Sequence, residues 1–326
     1  MKLALLLSPF EDDLWRLARQ MGVRYAIAKL HPEYTGEEPP YSIDALAAAQ
    51  RRFSEGGFVL AGLEGDQFDM SRIKLGKGGA HEDMQRYAQM VRNMGELGIP
   101  LLCYNFMAAI GWYRTRTDVE ERGGALVSEF DRSVAEADSL HPEAPVSEES
   151  IWENYARFLT TIAPVAQEVG VDMALHPDDP PLSPLRGIGR IFTDVAAFDR
   201  AYDLAPVACN GVTFCQATFR AMGEDIEDAA RRFGTTGRLK FLHLRDIAGP
   251  PERFRETFHD NGPTDMVRML RLYKELGFEG LVRPDHVPAM SGERQGAEQT
   301  HTLSAGYGTL GRLYAVGYLR GILETI

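Results

Sequence analysis

Residues 150–176, SIWENYARFLTTIAPVAQEVGVDMALH, hold a complete passage from helix to buried strand. Ile151, Trp152, Tyr155, Phe158, Leu159, Ile162, Val165 and Val169 recur every three or four residues, which places them on one helix face. Ser150 with Glu153 makes an S-x-x-E capping box at the start, and Gly170 closes the helix. DMALH (172–176) follows, a short and nearly all-apolar run that ends on a histidine. A strand with no polar face belongs in a sheet covered on both sides.

The same alternation continues in both directions. Strand runs are LALLL (3–7), YAIAKL (25–30), FVLAGLE (58–64), PLLCYNF (100–106), DMALH, GVTFC (211–215), LKFLHL (239–244) and GLVRPDH (280–286). Helical periodicity fills 11–20, 42–55, 80–98, 150–169, 194–203, 224–233, 264–276 and 308–324. Buried strands joined by helices give a parallel sheet, and a closed (β/α)8 TIM barrel is the economical solution for 326 residues. A doubly wound open sheet is the rival, because counting strands does not show closure. No linker divides the chain, so residues 1–326 are read as one α/β domain. The connection 107–149, after the fourth strand, runs far beyond the usual two to six residues of a βα loop. It is either a solvated insertion or a lid over the barrel mouth, since βα loops build barrel active sites.

Composition removes several classes of function. Lys and Arg number 35 against 47 Asp and Glu, a net charge of −12, the wrong sign for gripping nucleic acid or anionic lipid. Three cysteines without a CxxC pair suit a reducing compartment. The opening MKLALLLSPFEDD has too short an apolar stretch for a signal core or a membrane span, so a soluble cytoplasmic protein is expected. GYGTLG (306–311) matches G-x-G-x-x-G but lacks the βαβ setting that a dinucleotide needs. Gly306 and Gly308 are read instead as shaping the loop that presents Tyr307.

Barrel chemistry is expected at the carboxyl ends of the strands. The fifth strand ends in His176, the sixth in Cys215, the seventh at His243 and the eighth in Asp285 and His286. Each alone has a bland structural explanation. Together, His176, Cys215, His243 and Asp285 suit a divalent transition metal: Zn2+ by softness, or Mn2+ or Co2+ where oxygens complete the shell. His286 can face the same side as Asp285 only if the strand has ended. Arg245 and Arg283 share strand faces with His243 and Asp285, which suits a substrate carboxylate or the balancing of a ligand's charge. Asp178 and Asp179, in HPDDPP, can orient imidazoles or bind sugar hydroxyls.

LLCYNFMAAIGWYRTRTD (101–118), MALHPDDPP (173–181), GVTFCQAT (211–218), FLHLRDI (241–247), VRPDH (282–286) and AGYGTLGRL (305–313) resemble, in order and spacing, the mannonate dehydratase family, itself similar in fold to xylose isomerase-like barrels. The likeness covers the chain from about residue 58. It implies a metal, Mn2+ first with Zn2+, Co2+ or Fe2+ as alternatives, on His176, Cys215, His243 and Asp285. It also implies His286 and Tyr307 as the acid–base pair. Val287 replaces the family's Gly, WYRTRTD interrupts its WTRTD, and the loop at 258–265 lacks a longer His- and Asp-containing stretch. Metal and elimination chemistry therefore carry over better than the identity of the sugar acid.

The implied reaction is dehydration of D-mannonate to 2-keto-3-deoxy-D-gluconate by a cytoplasmic lyase of sugar-acid metabolism. Asn105, Trp112 and Arg114 are candidates for hydroxyl and lid contacts. The partner is a small sugar acid, neither nucleic acid nor membrane, and the sequence leaves a homo-oligomer open. A metal-dependent sugar isomerase or epimerase would use the same ligands without a carboxylate to read. A non-catalytic metal or sugar-acid binding relative would keep them without turnover.

Overall fold

The computed structural model describes residues 1–293 and 305–326. In chain order its strands are β1 (Lys2–Leu7), β2 (Tyr25–Ala28), β3 (Val59–Glu64), β4 (Leu101–Tyr104), β5 (Arg116–Glu120), β6 (Leu126–Asp131), β7 (Asp172–Leu175), β8 (Asn210–Cys215), β9 (Leu239–Leu244), β10 (Ile247–Ala248), β11 (Arg253–Glu256) and β12 (Leu281–Pro284). The helices are α1 (Asp13–Gln20), α2 (Pro32–Thr35), α3 (Ile43–Glu55), α4 (Ser71–Leu75), α5 (Ala80–Glu96), α6 (Arg132–Ala137), α7 (Glu148–Val169), α8 (Val195–Leu204), α9 (Gln216–Ala221), α10 (Ile226–Thr235), α11 (Met266–Glu275) and α12 (Thr309–Leu323).

Eight strands pair in parallel and close in the order β1-β12-β9-β8-β7-β4-β3-β2. Closure rests on β1 pairing with β2 on one side and β12 on the other, which removes the open-sheet alternative. Alternation along each strand separates two apolar layers. Ala4, Ile27, Ala61, Leu101, Ala174 and Phe241 fill the interior, while Leu5, Leu63, Leu102, Val212 and Leu242 pack outward with the helices. Both strand faces are therefore dry, and polar side chains are pushed to the strand ends.

Helix α7 begins one turn earlier than its sequence signal. Ser147, not Ser150, is the N-cap, and its hydroxyl accepts from the Ser150 amide at 3.2 Å. Ser147 places Glu148 and Glu149 in the first turn, where negative charge faces the positive end of the helix dipole. Glu153 instead approaches Arg157 on the surface at 3.7 Å. Gly170 ends the helix in the left-handed region, as its position implies.

The long connection after β4 is built rather than irregular. It supplies β5 and β6, and the connection after β9 supplies β10 and β11, which join as an antiparallel sheet ordered β10-β11-β6-β5. Phe130 and Phe254 pack across it at 5.4 Å. Leu126 and Ala289 exchange backbone hydrogen bonds of 2.9 and 2.8 Å, fastening this sheet beside the end of β12. Strand-forming residues here alternate with charges, as in RTDVE, so a search for all-apolar runs passes over them. Among the described residues no helix is long and apolar enough to cross a membrane.

Candidate metal centre and acid–base pair

Strand register brings the chemistry together. Cys215 on β8 and Arg283 on β12 both lie opposite His243 on β9. His176 follows β7 directly and is anchored by its amide to the Tyr104 carbonyl at 2.7 Å. Asp285 follows β12 and is anchored to the Leu244 carbonyl at 3.0 Å. One donor atom from each of His176, Cys215, His243 and Asp285 lies within 4.8 Å of the others.

These residues fit a metal ion on more than proximity. His243 is buried, and neither ring nitrogen has a hydrogen-bond partner among the described residues. Its Nε2 stands 3.5 Å from Glu64 Oε2 and its Nδ1 3.7 Å from Asp285 Oδ2. A buried polar atom without a partner is costly, and of the two nitrogens of a neutral imidazole one carries a lone pair that a metal ion would take up while the other carries a proton facing a carboxylate. His176 has Nδ1 engaged with the Pro177 carbonyl at 2.7 Å, which leaves Nε2 for ligation. Burial pushes His176 below the usual histidine range and favours the neutral form that binds metals. Burial would also push the Asp285 carboxyl up, but His286, Arg283, His243 and Arg245 around it hold it well below the usual range. The donor set of two imidazoles, a thiol sulfur and a carboxylate suits a divalent transition ion.

Beside this cluster lie His286 and Tyr307. Strand β12 ends at Pro284, so Asp285 and His286 escape strict alternation and both border one cavity. Its volume is about 120 Å³, some four waters' worth, on the scale of a small polar molecule. Tyr307 donates its hydroxyl to Asp285 Oδ1 at 2.7 Å, and burial and then Asp285 push its pKa well above the ordinary phenol value. Gly306 precedes it at φ 91°, and a Cβ there would come within 3.1 Å of the His286 ring, so glycine is required twice over. Trp112 meets His286 edge-on at 5.1 Å, and its buried Nε1 has no partner among the described residues.

Several expected substrate contacts turn out differently. Of the two readings open for Arg245, a substrate carboxylate or the balancing of a ligand's charge, its contacts favour the second: all five of its N–H groups are spent on Asp285 Oδ2 (2.8 Å), Glu256 (2.9 and 3.1 Å), Asp179 (2.5 Å) and Thr218 (2.9 Å). It braces the site from behind. Arg114 is bound to Asp179 at 2.6 and 3.0 Å and to Glu256 at 2.8 Å, and so belongs to the same buried network. Asp178 accepts the amides of Ile191 and Phe192, both at 2.9 Å, and so shapes its own loop. None of these three borders the cavity, whereas Asn105, Trp112 and Arg283 do. Asn105 already accepts from Lys74 Nζ at 3.0 Å. Arg283 forms a two-pronged pair with Glu64, one contact at 2.9 Å, and approaches Asp285 Oδ1 at 3.1 Å.

Two buried carboxylates beside the site have no counterpart in the sequence reading. Glu64 closes β3, and Arg283 and then His243 hold it ionised, at about 2, against its burial. The strand-end rule that found His176 would have found it too. Glu256, on β11, is likewise held at about 2 by Arg245, His286 and Arg114 against burial, and no pattern in RFRE marks it.

A closed parallel barrel carrying buried imidazoles, a thiol and carboxylates at the mouth defines a (β/α)8 barrel with its polar groups where such barrels place their active sites. Its profile is that of the D-mannonate dehydratase (UxuA) family, matched over residues 13–143 and 137–326. The match begins at residue 13, so the segment that carries α1, β2 and α3 shares more with the family than its motifs reveal. Over 282 residues, 78% of this chain and 79% of the relative, it is 34% identical to Mannonate dehydratase 2 of Halalkalibacterium halodurans. The crystal structure of mannonate dehydratase from Streptococcus suis serotype 2 superposes with a TM-score of 0.88 at 26% identity, covering 100% of this chain and 94% of that one. A D-psicose 3-epimerase from Clostridium cellulolyticum H10 reaches 0.63 at 14% identity over 99% of both chains, a likeness of fold alone. The chain belongs to the mannonate dehydratase family.

Proposed function

We propose that this hydro-lyase dehydrates D-mannonate to 2-keto-3-deoxy-D-gluconate with a divalent ion, Mn2+ in first place, held by His176, Cys215, His243 and Asp285. The observation that carries the reading is the convergence of those four donor atoms within 4.8 Å beside His286 and Tyr307. When bound, the ion supplies Lewis-acid stabilisation to the negative charge that develops beside the substrate carboxylate.

The chain's own groups account for the proton movements. One of His286 and Tyr307 takes the proton from C2, and the C–H electron pair becomes the C2–C3 double bond. The C3–O bond breaks, and its oxygen leaves as water with a proton from the other residue. The resulting enol gains a proton at C3 and loses one from its C2 hydroxyl to become the 2-keto acid, so no oxidant or reductant is needed. Arg283 places positive charge at the cavity wall for an anionic substrate, though Glu64 shares it. Trp112 offers a donor for a substrate hydroxyl, and the connection 107–149 that carries it serves as a cover over the barrel mouth. A cytoplasmic setting fits buried free thiols at Cys103, Cys209 and Cys215.

The test is a panel of aldonic acids and ketoses incubated with the Mn2+-loaded protein. D-Mannonate should yield a 2-keto acid faster than its epimers do. Epimerised ketose without any 2-keto acid would move the protein to the isomerase class.

A further inference from the structure

We propose that Glu256, delivered by the accessory sheet rather than by the barrel, is the positioning residue of His286, fixing its ring orientation and committing its Nδ1 as donor so that Nε2 is the nitrogen that reacts. This rests on the reading above only in that His286 acts on the sugar acid.

Glu256 ends β11 and is 2% exposed. Its Oε1 meets His286 Nδ1 at 3.0 Å, Arg114 at 2.8 Å and Arg245 at 2.9 Å, and its Oε2 meets Arg245 at 3.1 Å. A carboxylate gripped by two guanidinium groups is an acceptor only, so the Nδ1 that bonds to it must carry the proton. In neutral His286 the lone pair then sits on Nε2. That atom is 3.9 Å from Asp285 Oδ1, too far for a hydrogen bond, and so stays available to the cavity that His286 borders. The ring cannot easily turn away. Trp112 and Tyr307 meet it edge-on at 5.1 and 5.4 Å, and a Cβ added at Gly306 would come within 3.1 Å of it.

Arg114 and Arg245 share two carboxylates, Asp179 and Glu256, and of these Glu256 is the acceptor that reaches His286. The carboxylate and one of its clamps come from different insertions, Glu256 from the segment after β9 and Arg114 from the one after β4, and the two insertions pair through β6 and β11. Building the accessory sheet therefore builds the support for His286. With its lone pair on Nε2, His286 is the group that takes the C2 proton. Tyr307, already a donor to Asp285, is left to protonate the departing C3 hydroxyl.

Two measurements test this. In Zn2+-loaded protein, which is diamagnetic, nitrogen NMR with 15N-labelled histidine should show His286 protonated on Nδ1, its signal identified by its loss in His286→Asn. Glu256→Gln should lose that bias. Its kcat on D-mannonate should fall about 10–100-fold, as expected for an orienting partner, with KM and metal content within about threefold and partial recovery in Glu256→Asp. Protonation of the wild-type ring on Nε2 would overturn the proposal, as would wild-type kcat in Glu256→Gln or a loss confined to KM or metal. Should Glu256→Gln fail to fold, the wild-type spectrum still decides. An Nδ1–H signal without any dehydration of D-mannonate would support the positioning while removing the proposed reaction.

Discussion

Replacing Arg245 with methionine is expected to cost stability rather than substrate affinity. The side chain is 1% exposed and uses every N–H group on four buried partners. Its removal leaves Asp179, Glu256 and Asp285 buried, each with a cation still beside it, Arg114 for the first two and Arg283 for the third. Breaking a buried ion pair from one side costs about 3–5 kcal/mol. Unfolding entropy of about 2.1 cal/mol/K per residue amounts to about 0.7 kcal/mol/K for this length, so the melting temperature should fall by about 4–7 °C. The assay is calorimetric unfolding at a fixed excess of metal, paired with KM for D-mannonate. Metal should also bind more weakly, because Asp285 Oδ2 loses the donor that orients it. A melting temperature within about 1 °C of wild type, together with a raised KM, would instead assign Arg245 to the substrate carboxylate.

Three further outcomes are expected. Cys215→Ser and His176→Ala should each lose most of the bound divalent ion, read by metal analysis after dialysis, and full retention in both would dissolve the proposed site. Trp112→Phe removes a buried donor at the cavity wall and should raise KM for the sugar acid by about 2–10-fold, the worth of one neutral hydrogen bond, with metal content unchanged. His259 is buried and pushed down to about 4 by desolvation, with Nε2 donating to the Leu244 carbonyl at 2.6 Å. The unfolded chain takes up that proton near pH 6.5 and the folded one only near 4. Its contribution is thus complete above pH 6.5 and declines by about 3 kcal/mol as pH falls to 4. His259→Gln keeps the donor and should flatten the stability profile in that window. An unchanged slope would assign the acid sensitivity to other groups.

The barrel was legible because its strands are apolar on both faces, and that same dryness forces DMALH, GVTFC and RPDH to carry their polar residues at the ends. Reading those ends was enough to assemble His176, Cys215, His243, Asp285 and His286. Arg245 and Arg283 part company for a physical reason. Position two residues beyond a ligand sets a strand face only while the strand lasts, and β9 stops at Leu244, so Arg245 turns into the acidic network. The accessory sheet was illegible because RTDVE and RFRE alternate polar and apolar residues in short runs, and because its strands come from segments more than a hundred residues apart. Glu256 was hidden with it. A carboxylate that acts by reaching across two insertions has no local signal.

On the proposed reading, four strand-end side chains hold the ion on which dehydration of a sugar acid depends. The most direct test is the rate of 2-keto acid formation from D-mannonate by chelator-stripped protein as Mn2+ is added back. The account predicts negligible turnover in the stripped protein and recovery that saturates as the single site at His176, Cys215, His243 and Asp285 fills. Full turnover without metal, or none at saturating metal, would contradict it.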